Sequence, residues 1–206
     1  MIAIIDYGVG NLFSLTSSLR YIGAETIITA EAGQIERADR ILLPGVGAFG
    51  DAIAKLRATG LIPTILAQAA AGKPLMGICL GMQLLFDQSF EYGRHPGLGL
   101  IPGSICNMQP DLAAAGFDYK VPHMGWNALR FHRPDCPLLA NTQEGAHVYF
   151  VHSFYAKDCD PALVASAEYG LEVPAIVNRD NVYGCQFHPE KSGEAGLGIL
   201  RAFCKL

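Results

Sequence analysis

Gly77-Ile78-Cys79-Leu80-Gly81-Met82-Gln83 is the stretch on which the reading of this sequence turns. It sets a cysteine between two glycines where an apolar strand should give way to a helix. Leu75-Met76-Gly77-Ile78 has the character of a short buried strand, and Met82, Leu84, Leu85 and Phe86 supply an apolar helical face beyond it. A thiol at that junction lies near the first unpaired N–H groups of a helix, where the positive end of the dipole favours thiolate. The flanking glycines leave room for a tight turn and for close approach by a substrate. The pattern is that of a nucleophile elbow with cysteine in serine's place. The competing reading is a buried structural thiol, since free cysteine is among the most buried residue types.

Outward from the elbow, the first hundred residues alternate strand and helix. Ile2–Ile5 reads as a strand, and residues 11–22 as a helix with Leu12, Leu15, Leu19 and Ile22 on one face. Strands are expected at 25–29 and 40–43, helices at 48–58 and 62–71, and a strand at 73–78 leading into the cysteine. From about Ser104 the pattern favours antiparallel strands: 126–131, 147–155, 163–167, and a hairpin of 175–177 with 182–187, before a last helix at 193–206. These elements predict an α/β fold: a central mixed, mostly parallel sheet flanked by helices, with an antiparallel C-terminal part, in a single domain over residues 1–206. In such sheets ligands bind beyond the carboxyl ends of the strands, where Cys79 stands. Two glycine-rich turns follow strands. Gly8-Val9-Gly10-Asn11-Leu12-Phe13 has Phe13 where a dinucleotide fingerprint needs glycine. Pro44-Gly45-Val46-Gly47 lacks the ending of a phosphate loop, and reads either as an ordinary turn or as backbone N–H donors for an oxyanion.

Composition narrows the function classes. Half of the 206 residues are hydrophobic and 17% are charged, enough for a large core. A net charge of −4 without any Lys/Arg run argues against a nucleic-acid partner. No apolar run reaches the roughly 18 residues of a membrane helix. The amino terminus has neither basic leader nor cleavage site, so the cytoplasm is the expected location. The six cysteines, at 79, 106, 136, 159, 185 and 204, show no paired spacing and are expected as reduced thiols. Cys185 and His188 form a single ligand pair without a second, so neither metal nor cofactor is expected.

A cysteine nucleophile needs a base. Gln186-Phe187-His188-Pro189-Glu190 ends the last strand, and in an extended chain His188 and Glu190 project to the same side. Pro189 favours an extended His188. Glu190 is then placed to orient the imidazole as the third member of a triad. His95 and His132 lie in loop-like sequence and are expected to be solvated; His123 and His147 read as packing or capping residues. His152 is a candidate for shaping a pocket.

Gly-x-Cys-x-Gly-x-Gln early, with Phe-His-Pro-Glu late, resembles the class I glutamine amidotransferases across essentially the full chain. Four segments narrow the resemblance: Pro44 to Gly50, Pro122 to Asn127, Tyr149 to Phe154, and His188 to Ser192. They are similar to the glutaminase subunits that serve a separate (β/α)-barrel cyclase in histidine biosynthesis. The resemblance implies a Cys79–His188–Glu190 triad that hydrolyses glutamine to glutamate and ammonia. It implies an oxyanion site at Gly45, Val46, Gly47 and Leu80, and a glutamine pocket lined by Gln83, Glu91, Ser153 and Phe154. It also implies a heterodimer with the cyclase, Asn11, Trp126, Tyr149 and Lys191 facing the barrel around an ammonia passage. The competing readings of those surface positions are a helix cap for Asn11, core for Trp126 and a solvated charge for Lys191. A chain ending at Leu206 leaves no room for a synthase domain, so the ammonia is expected to be used elsewhere. Another amidotransferase branch, or a catalytically silent interaction subunit, are the alternatives.

Overall fold

The computed structural model describes all of residues 1–206. The central sheet has eight strands in the order Thr26–Thr29, Ile2–Ile5, Arg40–Gly45, Leu75–Cys79, Val182–Cys185, Glu172–Arg179, Leu163–Glu168 and Arg130–Phe131. The first five pair in parallel, and the remaining three add on antiparallel. The parallel half is buried on both faces, which is why its strands read as continuous apolar runs. Successive residues still point to opposite faces. Ile2, Ile4, Leu42 and Met76 pack on one side with Leu15, Leu19, Ile199 and Phe203 from the helices Leu12–Tyr21 and Gly193–Phe203. Ala3, Ile5, Ile41, Leu43 and Leu75 pack on the other, against Ile35, Phe49, Ile53, Leu56 and Ile65. No helix is long and apolar enough to cross a membrane.

The strand Val182–Cys185 is where the sheet changes from parallel to antiparallel, and it lies directly beside Leu75–Cys79, with Cys185 opposite Ile78. Segments far apart in sequence thus leave the sheet at the same edge.

Several boundaries differ from the sequence pattern. The expected helical face from Met82 to Phe86 is shorter: the helix spans only Leu80–Leu84, and Phe86 opens a strand, Phe86–Ser89. All five helix residues are buried, so no polar face marks where the helix stops. Phe86–Ser89 belongs to a second sheet of four strands, ordered Phe154–Lys157, Ile101–Asn107, Phe86–Ser89 and His95–Pro96. Residues 147–155, expected as one strand, are two: His147–His152 pairs with His123–Ala128, and the chain then changes sheets at Ser153. Expected strand 126–131 divides at Leu129, whose backbone bonds to Gly145 and Ala146 instead of continuing the ladder. All six cysteines are free.

Candidate active site

Cys79 ends its strand with φ 54° and ψ −113°, and the helix Leu80–Leu84 begins at the next residue. A left-handed backbone at a non-glycine residue costs about 1–3 kcal/mol and persists only where its surroundings enforce it. Here the enforcement is close packing. A side chain on Gly81 would run into the carbonyl oxygen of Leu43, and one on Gly77 would press on the backbone of Gly81 and Met82. Gly45 stands in register with Cys79 on the neighbouring strand, so Val46 and Gly47 run past the cysteine as that strand ends. Behind this loop the Tyr7 hydroxyl donates to the Pro44 carbonyl at 2.7 Å.

The other arm of the site leaves the sheet after Val182–Cys185. His188 keeps an extended backbone, but Pro189–Lys191 forms a 3-10 turn. The approach of His188 and Glu190 therefore comes from that turn and not from two residues on one face of a strand. Nδ1 of His188 donates to Glu190 Oε1 at 2.8 Å, both side chains being nearly inaccessible. The carboxylate only accepts, so Nδ1 carries the proton and Nε2 is left for the Cys79 side chain. Burial works against a charged imidazole, but the hydrogen bonds and charges of Cys79 and Glu190 outweigh it and push the His188 pKa up to about 10. Backbone bonds fix the turn: the His188 N–H donates to Tyr149 O at 2.9 Å, and the Ser192 hydroxyl donates to His188 O at 2.6 Å. Oε2 of Glu190 is buried without a partner. A small void beside His188 and Glu190 is lined by Asn11, Gly45 and Val46.

A cleft of about 580 Å³ opens over these groups. Its lining includes Cys79, His188, Val46, Gly47, Leu80, Gln83, Glu91, Ser153 and Phe154, so most of the catalytic and pocket positions singled out in the sequence converge on one cavity, while Gly45 and Glu190 lie behind it. Gln83 Nε2 donates to the Phe154 carbonyl at 3.0 Å. Glu91 is partly committed elsewhere: its Oε2 accepts the Phe49 N–H at 2.6 Å, at the start of the helix Phe49–Ala58. His152 also lines the cleft. Its Nδ1 donates to Phe154 O at 2.9 Å, while burial and the neighbouring His123 drive its pKa down to about 3. It is a neutral wall. Val151 and Pro122, from two of the segments quoted above, also line the cleft, and Tyr92, Asn107, Gln109 and Val121 complete the lining without having stood out in the sequence.

The model of the glutamine amidotransferase class-I family matches residues 3–205. The chain belongs to this family. A Geobacillus thermodenitrificans relative, imidazole glycerol phosphate synthase subunit HisH, is 51% identical over 204 residues, covering 98% of this chain and 94% of its own. A Bacillus licheniformis protein of the same description is 52% identical, covering 98% and 95%. Among solved structures, a glutamine amidotransferase overlays with TM-score 0.76 at 18% identity, covering 100% of this chain and 98% of its own. A chain of PurLQS from Thermotoga maritima overlays with TM-score 0.77 at 20% identity, covering 99% and 97%. As a class-I amidotransferase the protein is a glutamine-hydrolysing enzyme.

On the amidotransferase surface, Trp126 is 61% exposed, so the core reading of this residue is overturned. It lies on the two-stranded sheet, opposite Tyr149 and with ring centroids 4.7 Å apart, while Lys191 Nζ sits 5.6 Å from the Tyr149 ring centre. Asn11 Oδ1 accepts the Ser14 N–H and caps the helix Leu12–Tyr21. Of the histidines expected in solvent, His95 is half-buried, its ring lying under Gly50. His132 is exposed and reaches the Ser166 hydroxyl at 2.8 Å. His123 is fully buried and stacks on Phe150 and Tyr169. His147 is exposed at the start of its strand.

Proposed function

We propose that this amidotransferase is the glutaminase subunit of an imidazole glycerol phosphate synthase, acting with a separate (β/α)-barrel cyclase. The observation that carries the reading is the identity of about half of all residues, over nearly the whole length of both chains, with relatives bearing that name. In this reading Cys79 is the nucleophile, His188 the acid and base, and Glu190 its orienter. His188 takes the Cys79 proton, and the thiolate so formed attacks the side-chain amide carbon of glutamine. N–H groups of Leu80 and of the Gly45–Val46–Gly47 loop hold the oxyanion. As the carbon–nitrogen bond breaks, imidazolium gives its proton to the departing nitrogen, which leaves as ammonia. Neutral His188 then takes a proton from the water that attacks the thioester. Glutamate departs, and the thiolate–imidazolium pair is restored. Gln83, Glu91, Ser153 and Phe154 bind the amino-acid part of glutamine, and the scheme calls on no metal or cofactor.

The ammonia passes to the cyclase, which yields imidazole glycerol phosphate and an aminoimidazole carboxamide ribotide. Asn11, Trp126, Tyr149 and Lys191 face that partner. The test is glutaminase turnover with and without the cyclase and its nucleotide ligand. Low turnover alone, rising about tenfold or more in the complex, is expected for coupled sites. High turnover that ignores the partner would overturn the assignment.

A further inference from the structure

We infer that Gln186 is a positioning residue of the glutaminase reaction, its side-chain amide aiming an N–H at the Cys79 sulfur and holding the thiolate for attack. The inference rests on the proposed role of Cys79 as nucleophile. Gln186 is fully buried, and its backbone N–H is tied to Ala175 O at 2.9 Å. Its Nε2 lies 3.8 Å from Cys79 Sγ, and its Oε1 lies 3.0 Å from Gln83 Nε2. Amide ends look alike, so the direction of these bonds has to be argued, and the far end of the chain decides it. Phe154 O is a backbone carbonyl and only accepts, so the Gln83 atom facing it at 3.0 Å is the amide nitrogen. That nitrogen also faces Gln186, which must answer with its oxygen. The Gln186 nitrogen is then turned to the sulfur, with a hydrogen to give.

The direction matters chemically. A donor aimed at sulfur favours the anion over the neutral thiol, because a hydrogen bond to an ionised acceptor is roughly twice as strong as a neutral one. Burial removes the competing water that would weaken it. His188 supplies the counter-charge, and Gln186 supplies a second, uncharged contact from the end of the strand at which the sheet changes from parallel to antiparallel. The same relay spends both Gln83 N–H groups, leaving Gln83 Oε1 as the free acceptor on a residue that lines the cleft. Gln186 thus orients the nucleophile directly and a pocket residue through one bond.

Gln186→Leu and Gln186→Glu, made in the full chain, test this. The readout is the rate at which iodoacetamide labels Cys79, mapped by peptide mass, as a function of pH, with Cys79→Ala as background. In Gln186→Leu the labelling rate at pH 7 is expected to fall about tenfold, and the pH of half-maximal labelling to rise by about one unit. In Gln186→Glu, where a carboxylate replaces the donor at the same volume, the rate falls at least as far; this variant is read if the apolar one does not fold. With the cyclase present, kcat falls through the thiolate and KM rises through Gln83. A folded variant with the wild-type pH profile of labelling overturns the role of Gln186. A wild-type Cys79 that labels no faster than an ordinary thiol overturns the nucleophile reading itself.

Discussion

Nδ1 of His188 lies 2.8 Å from Oε1 of Glu190, with both side chains closed off from solvent. The bond fixes which ring nitrogen faces Cys79. Glu190→Gln keeps the shape but replaces the acceptor-only group with an amide that can turn an N–H toward the ring and invert the tautomer. The kcat for glutamine is expected to fall about 10²- to 10⁴-fold with KM little changed, by analogy with loss of the orienting carboxylate in other triads. Steady-state kinetics on the complex measure this; an unchanged kcat would remove Glu190 from the triad.

A pH dependence of stability follows from the same contacts. His188 is pushed up to about 10 in the folded protein, whereas an unfolded histidine titrates near about 6.5. A group whose pKa is raised on folding stabilises the native state fully below the unfolded value, and that contribution is lost as pH rises through the folded one. The stability advantage of wild type over His188→Gln should therefore shrink as pH climbs from about 6.5 to about 10. Urea denaturation at several pH values reads it, and an advantage that grows across this window contradicts the thiolate–imidazolium pairing.

Cys79 carries a conflict between stability and chemistry, with its backbone held at φ 54°. Cys79→Ala retains the strain and removes the sulfur; Cys79→Gly removes both. Both variants are expected to lose glutamine-dependent synthesis while the complex still uses free ammonia. Cys79→Gly should be more stable than Cys79→Ala by about 1 kcal/mol, since glycine alone adopts this backbone freely. Chemical denaturation of the pair decides it, and equal stabilities would mean that the elbow is not strained.

How much of this was legible beforehand depends on what kind of signal each part leaves. The parallel half was readable because strands buried on both faces alternate with amphipathic helices, each stopped by a glycine such as Gly23 or Gly72. Cys79 and His188 were readable because each sits in a short motif with its own chemistry. The second sheet was not: the chain changes sheets at Ser153 with only His152 and Ser153, and no glycine or proline, to mark the break, and at Phe86 a wholly buried helix becomes a strand without a polar marker. Gln186 leaves a signal in its spacing. It stands two residues before His188, a spacing that in an extended chain would turn both toward the same side, although the strand itself ends at Cys185. The His188–Glu190 contact was expected for the wrong local reason, since a 3-10 turn makes it.

Trp126 offers the sharpest test of the partner surface. The residue is 61% exposed and packs on Tyr149, its cross-strand partner. Tyr149 in turn accepts the His188 N–H through its carbonyl and donates its own N–H to the Ser192 hydroxyl at 2.9 Å. One strand therefore joins an exposed aromatic patch to the turn that holds the histidine. A large aromatic side chain centred in an interface commonly contributes about 2 kcal/mol or more when truncated, which corresponds to a Kd roughly 30-fold weaker. Trp126→Ala is expected to weaken cyclase binding by about that factor while leaving the unfolding midpoint of the isolated chain nearly unchanged, because exposed side chains contribute little to folding. Titration calorimetry against the cyclase and thermal unfolding of the free variant separate the two effects. Undiminished affinity would place the cyclase on another face, and a large loss of stability would mean that Trp126 belongs to the fold and not to the interface.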